Sequence, residues 1–323
     1  MINDRLDLAE VAAALDNKRL RLFLLPTEYC NFRCTYCYED FALGRMSEGV
    51  VNSVKLFLKT RIPQLRSFSL SWFGGEPLAA KSLVLDITEF SRELAQQHSV
   101  AFHSDITTNG YALTQDLCRA LLIAGLNHFQ ISLDGFEEDH DSTRKLANGR
   151  GTYQTIMRNL LEMRYNERDF SATIRVHYTD ATLSRLPQFV TFLKDAFGAD
   201  KRFNFFIKRV ERLGGPNDAS IKQIDIHHER RVLSAVADIL GTVGDDEGCP
   251  VCYAATGNSL IIRSNGRISK CTVAFTDDRN DIGSINGDGT LQIDQERAAA
   301  WLDGLLAYDR NVAACPLIHL RPL

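Results

Sequence analysis

Three cysteines in eight residues open the chemistry of this chain: Cys30, Cys34 and Cys37, in the run Glu-Tyr-Cys-Asn-Phe-Arg-Cys-Thr-Tyr-Cys-Tyr. Three thiolates on one short loop can bind three irons of a [4Fe-4S] cube and leave the fourth iron open for chemistry. A zinc knuckle is the first alternative, but zinc needs a fourth Cys or His close by. None lies between Cys37 and His98. A second group follows: Cys249, Cys252, Cys271 and Cys315. Four thiolates suffice for one fully ligated cube or for a structural zinc site. Asn265-Gly266 reads as a tight β-hairpin turn that draws the flanking cysteines together. Cys118 shares a helix face with Leu117, Leu121 and Leu122 and reads as core.

Something must position these thiols, and the chain supplies alternating elements. Strands are expected at about 20–25, 67–73, 100–107, 128–133, 172–178 and 203–208, rich in Phe, Leu, Ile and Val. Helices are expected at about 47–60, 80–97, 114–125, 152–166 and 183–197, with Ser47, Thr114 and Thr152 as N-caps. Six β/α units in succession predict a parallel sheet. Periodicity alone leaves a barrel and a doubly wound sheet both open. Several strands end in small polar residues, where a parallel α/β barrel keeps its ligand contacts. They are Gly74-Gly75-Glu76-Pro77, Thr107-Thr108-Asn109-Gly110 and Ile131-Ser132-Leu133-Asp134-Gly135. His177 and Tyr178 end a later strand as candidate proton or hydrogen-atom donors, or as packed structural residues. Lys208 to Gly215 reads as a solvated strand end or as a contact at the barrel mouth.

The Cys-x3-Cys-x2-Cys spacing, with Tyr36 before the last cysteine and with Gly-Gly-Glu and Ser-Leu-Asp-Gly downstream in this order, resembles the radical S-adenosylmethionine (radical SAM) enzymes. The resemblance implies a partial (β/α)6 TIM-like barrel. It implies S-adenosylmethionine on the open iron of a cluster at Cys30/Cys34/Cys37. Gly74, Gly75 and Glu76 would hold its ammonium, Ser132 would face its ribose with Asn109 and Asp134 nearby, and Arg144 would pair with its carboxylate. Cys252-x13-Gly266-x4-Cys271 resembles the opening of SPASM and Twitch domains, which implies one auxiliary [4Fe-4S] cluster at Cys249, Cys252, Cys271 and Cys315. A full SPASM domain continues with further cysteines; here none follows Cys315, so a one-cluster Twitch-like enzyme and a shortened chain are both expected possibilities. The corresponding division is an N-terminal extension (1–19), the barrel (20–215), a helical linker (216–248) and the small iron-sulfur domain (249–323).

Composition fits this picture. Charged residues make up 24% and the formal net charge is −4, so no field favours nucleic acid. No apolar run suits a membrane span or a secretory signal. Cysteines at metal-ligand spacing rather than disulfide spacing place the protein in a reducing cytoplasm. The resemblance implies a peptide maturase that abstracts hydrogen from a peptide or protein side chain to form a cross-link or an oxidised residue. Its partners would be a precursor peptide or protein and a flavodoxin- or ferredoxin-type reductant. Two alternatives stand beside it: a Twitch-type enzyme acting on a small metabolite, and a non-catalytic iron-sulfur electron carrier.

Overall fold

The computed structural model describes residues 5–241 and 250–320. Its backbone follows from alternation. In β1 (Arg19–Leu24) the residues Leu20, Leu22 and Leu24 are buried under helices, while Arg19, Arg21 and Phe23 take the opposite face. The same rule governs β2 (Ser67–Trp72), β3 (Ala101–Thr108), β4 (His128–Leu133), β5 (Ser171–Tyr178) and β6 (Phe203–Arg209). These six strands pair in parallel and in chain order, with Leu22 beside Leu70 and Leu70 beside Ser104. The expected strands are therefore present, and so is the expected barrel-type α/β architecture.

Amphipathic helices cover the outer face: α1 (Glu48–Arg61), α2 (Lys81–Gln97), α3 (Gln115–Ala124), α4 (Tyr153–Met163), α5 (Leu186–Phe197) and α6 (Ile226–Leu240). The first presents Val51, Val54, Phe57 and Leu58 to the sheet at helical spacing. Ser47 and Thr114 cap α1 and α3 as expected, accepting from Val50 N and Leu117 N. Thr152 does not cap α4: its hydroxyl donates to the Arg144 carbonyl (2.7 Å), and Asp141 Oδ1 accepts from the Thr152 and Tyr153 amides instead. A carboxylate reaching across from a neighbouring segment has displaced the local cap.

The C-terminal part joins the sheet. β7 (Ser259–Ile262) lies parallel to β1 on the edge that β2 leaves open, pairing Arg21 with Ser259 and Leu24 with Ile262. Antiparallel β8 (Arg267–Ser269), β9 (Asp281–Ile285) and β10 (Leu291–Ile293) extend it, giving ten strands in the order β10-β9-β8-β7-β1-β2-β3-β4-β5-β6. Gly266, at φ +84°, makes the expected β7–β8 turn, with Arg263 N donating to the Arg267 carbonyl. At the other terminus Asp7 and Glu10 form a capping box on the helix Leu8–Ala14. Val11 and Ala14 of that helix, with Leu6 just before its cap, pack against Ala255, Leu305 and Ala313. Cys118 is fully buried, as expected of a core position.

Candidate active site

The segment from β1 to α1 carries the three cysteines and is held by its backbone. Phe32–Cys34 pairs antiparallel with Arg144–Leu146, setting Cys34 opposite Arg144. Arg33 donates to the carbonyls of Cys30 (2.8 Å) and Phe32 (2.6 Å), and the Phe32 amide donates to Cys30 Sγ (3.3 Å). The Glu76 amide donates to the Tyr29 carbonyl at 3.0 Å. This approach needs glycine: a Cβ at Gly75 would stand 2.5 Å from the Glu28 and Tyr29 carbonyl oxygens, and one at Gly74 would stand 2.4 Å from that of Thr27.

Cys30, Cys34 and Cys37 border a single cavity at the carboxyl ends of the strands. Gly74, Gly75, Asn109, Ser132, Arg144 and His177 share its wall, together with Tyr36, Tyr38, Glu39, Arg175 and Lys208. Of the positions the sequence singled out for this site, three lie off its wall. Glu76 anchors the turn: its buried carboxylate accepts from Thr108 Oγ1 (2.7 Å), Asn109 N (2.7 Å) and Leu78 N (2.9 Å). Asp134 lies behind the wall and accepts from Tyr36 Oη (2.8 and 2.9 Å) and Thr143 Oγ1 (2.6 Å). Tyr178 is a correction. It sits on the outer face of β5, 4% exposed, and donates to Glu229 Oε1 on α6 at 2.8 Å, so the alternation of the strand turns it away from the cavity that His177 faces. Cys249 lies outside the described residues.

Electrostatics organise the rest. Arg144 Nη1 donates to Tyr36 Oη (2.9 Å), and His177 Nδ1 lies 3.2 Å from that oxygen and 3.3 Å from Asp134 Oδ1. Burial opposes the Asp134 charge, but the His177 hydrogen bond and the Arg144 cation hold its carboxyl below the usual range. Burial lowers the pKa of His177 despite Asp134, favouring the neutral ring. Burial also pushes Cys30 up to about 12 and Cys37 to about 11, and neighbouring thiols add to both.

These thiols fit an iron cluster in chemistry. They are crowded and desolvated, so only a cationic group would make them thiolates. The Nε atoms of Arg144 and Arg175 are buried without a hydrogen-bond partner, as befits donors that wait for a ligand. Among the described residues no three His, Cys, Asp or Glu side chains meet at single-ion spacing. The three thiols ring the cavity rather than closing on one atom. In the C-terminal part the Cys252 thiol is raised by burial and by the charge of Cys315, and that of Cys271 by burial and the charge of Cys252. Sequence reasoning missed Arg175, Tyr38 and Glu39. The inward alternation of Thr173, Arg175 and His177 along β5 carried the signal for Arg175.

Residues 24–181 match the Radical SAM superfamily. A cysteine-type anaerobic sulfatase-maturating enzyme of Clostridium novyi is 28% identical over 213 residues, covering 62% of this chain and 54% of its own. A PqqA peptide cyclase of Bradyrhizobium diazoefficiens is 27% identical over 174 residues, 53% and 42% of the two chains. A GTP 3',8-cyclase of Haemophilus ducreyi is 28% identical over 169 residues, 51% and 47% of the two chains. The chain spans about half the length of these curated relatives. Among solved structures, anSMEcpe with bound AdoMet and Kp18Cys peptide superposes with a TM-score of 0.64 at 18% identity, covering 88% of this chain and 84% of that one. Streptococcus suis SuiB bound to precursor peptide SuiA gives 0.59 at 16% identity, covering 91% and 67%. These likenesses carry the fold. Together with the cysteine loop and the strand-end residues around it, the match identifies residues 24–181 as a Radical SAM superfamily domain.

Proposed function

We infer that the chain is a radical SAM peptide maturase, abstracting hydrogen from a peptide or protein side chain to leave a cross-link or an oxidised residue. One observation carries the reading: a single cavity joins Cys30, Cys34 and Cys37 to Gly74-Gly75, Asn109, Ser132 and Arg144. When bound, a [4Fe-4S] cluster and S-adenosylmethionine supply the electron and the 5'-deoxyadenosyl group that takes the hydrogen. The chain's own groups do the holding. Arg144 would pair with the methionine carboxylate, Gly74 and Gly75 would let the backbone close on the ammonium, and Ser132 and Asn109 would face the ribose. Tyr36 and Asp134 brace Arg144 from behind, and neutral His177 faces substrate as a proton acceptor.

The named substrates of two relatives and the peptides in the two solved complexes support a peptide substrate. Cys249, Cys252, Cys271 and Cys315 would carry an auxiliary cluster, and a flavodoxin- or ferredoxin-type protein of a reducing cytoplasm would donate the electron. Among the described residues no helix is long and apolar enough to cross a membrane. A second reading, a small-metabolite substrate, is favoured by the GTP 3',8-cyclase relative. Anaerobic incubation of the reconstituted protein with S-adenosylmethionine and dithionite tests the enzyme: 5'-deoxyadenosine is expected, and its absence overturns the reading. Co-expression with a peptide encoded beside the gene then separates the substrates, since a peptide mass change is expected only for a maturase.

A further inference from the structure

A second cavity, of about 640 Å³, occupies the amino-terminal end of the strands on the inner face of the sheet. Arg19 and Arg21 of β1, Ser67 and Ser69 of β2, and His103 and Asp105 of β3 form its inner wall, and the Leu8–Ala14 helix and residues 250–258 close it. A cluster of Phe23, Phe73, Tyr253 and Phe275, with Leu25 and Ile261, adjoins it through Tyr253. Its lining shares no residue with that of the active-site cavity.

The charges around it do not balance locally. Its three carboxylates are already engaged. Glu10 Oε2 accepts from Arg310 (2.8 Å) and from the Asp7 amide (2.9 Å), Asp16 accepts from Arg66 (2.5 Å) and the Lys18 amide (2.8 Å), and Asp105 accepts from Ser71 Oγ (2.7 Å). Neither Arg19 nor Arg21 makes a side-chain hydrogen bond or ion pair among the described residues, and Arg19 meets the Asp16 charge only at a distance. Arg21 is held in place all the same: its guanidinium lies 4.8 Å from the Phe23 ring centre and 5.8 Å from that of Tyr253. Stacking fixes the plane of a guanidinium and leaves its N–H edge for an acceptor. His103 and His128 stand ring to ring at 4.2 Å, with His103 Nε2 3.9 Å from Asp105. An Arg21 guanidinium held in plane without an acceptor, with the exposed Arg19 and serine hydroxyls on the same wall, matches a planar or tetrahedral oxyanion.

We propose that this cavity is a binding site, separate from the active site, for a small oxyanion-bearing ligand whose carboxylate or phosphate is held by Arg19 and Arg21. The test is calorimetric titration of the anaerobically reconstituted full chain with inorganic phosphate in one arm and succinate in the other. Saturable binding in at least one arm is expected, and the stronger arm identifies the class of anion. Arg19→Gln and Arg21→Gln should each weaken it tenfold or more, and Arg21→Lys should weaken it less. S-adenosylmethionine cleavage should be unchanged in all three, since neither arginine reaches the active-site cavity. No saturable heat in either arm overturns the proposal, as does equal affinity in wild type and both Gln variants. Independently of any variant, phenylglyoxal labelling of the wild type mapped by mass spectrometry should show the anion protecting Arg21; unchanged labelling also overturns it.

Discussion

Arg144 ties the cysteine loop to the cavity wall: it lies opposite Cys34, donates to Tyr36 and carries a buried Nε without a partner. If Arg144 pairs with the methionine carboxylate as proposed, replacing it with Ala removes a charge-assisted pair worth roughly 1.5–3 kcal/mol. S-adenosylmethionine should bind about ten- to a hundredfold more weakly, measured by equilibrium binding to reconstituted protein; an unchanged dissociation constant would mean that the guanidinium serves only Tyr36. Behind it His140, fully buried, accepts from the Asp134 amide at Nδ1 (3.3 Å) and has Thr152 Oγ1 3.1 Å from Nε2. Burial lowers its pKa from 6.5 to about 4. The folded ring thus refuses a proton that the unfolded chain accepts. Its contribution to stability is complete above pH 6.5 and is lost as pH falls toward 4, on the order of 3 kcal/mol. Chemical denaturation across that window should show the loss, and His140→Gln should flatten the slope. Equal slopes in both proteins would assign the acid sensitivity elsewhere.

At the scale of elements, the strand-end turns fix the site, and glycine fixes the turns. Gly75→Ala should shift the cysteine loop away from β2, because its Cβ would meet two carbonyl oxygens of that loop at 2.5 Å. Reduced iron incorporation and a lower melting temperature are expected, with the Gly74→Ala variant behaving alike; full iron loading in both would show that the loop tolerates the shift. Likewise Glu229→Ala leaves the buried Tyr178 hydroxyl without its acceptor and removes one of the two carboxylates beside Arg209, a loss of about 1–3 kcal/mol measurable by urea unfolding. The six strands and most helices were legible because their apolar periodicity is local. So were the cysteine spacing and the polar strand ends, including Ser132 and Asn109 on the cavity wall. What escaped depends on partners distant in sequence. Tyr178 follows His177 directly, yet strand alternation and a carboxylate on α6 assign it to packing. Thr152 carries the residue type of a helix cap, but Asp141 has taken that role. Arg175 lacks any motif, and its one signal, the alternation it shares with His177 along β5, does not say what it faces until the strand is placed in the sheet.

For the whole molecule, two thiol groups at opposite parts of the chain predict two clusters. Reconstituted protein should hold about eight irons, and the Cys30/Cys34/Cys37→Ala triple variant about four, by iron and sulfide analysis. Four irons in the parent would leave Cys252, Cys271 and Cys315 as ordinary thiols, and zinc in place of iron would make theirs a structural metal site. The ten-stranded sheet constrains how the parts can be separated. Because β7 covers the edge of β1, a fragment ending at Leu240 bares a row of unpaired backbone groups and should aggregate. A monomeric fragment that binds S-adenosylmethionine would show that the edge is dispensable. The same pairing sets an order of events during synthesis. β1 leaves the ribosome before every other strand of the sheet, yet its Arg21–Leu24 edge waits for Ser259–Ile262, which are translated after every helix of the barrel. So distant a parallel contact is closed late and slowly, and until then the nascent chain exposes a sticky strand. Its yield in a cell should therefore depend more on chaperone supply and translation speed than on the stability of the finished fold.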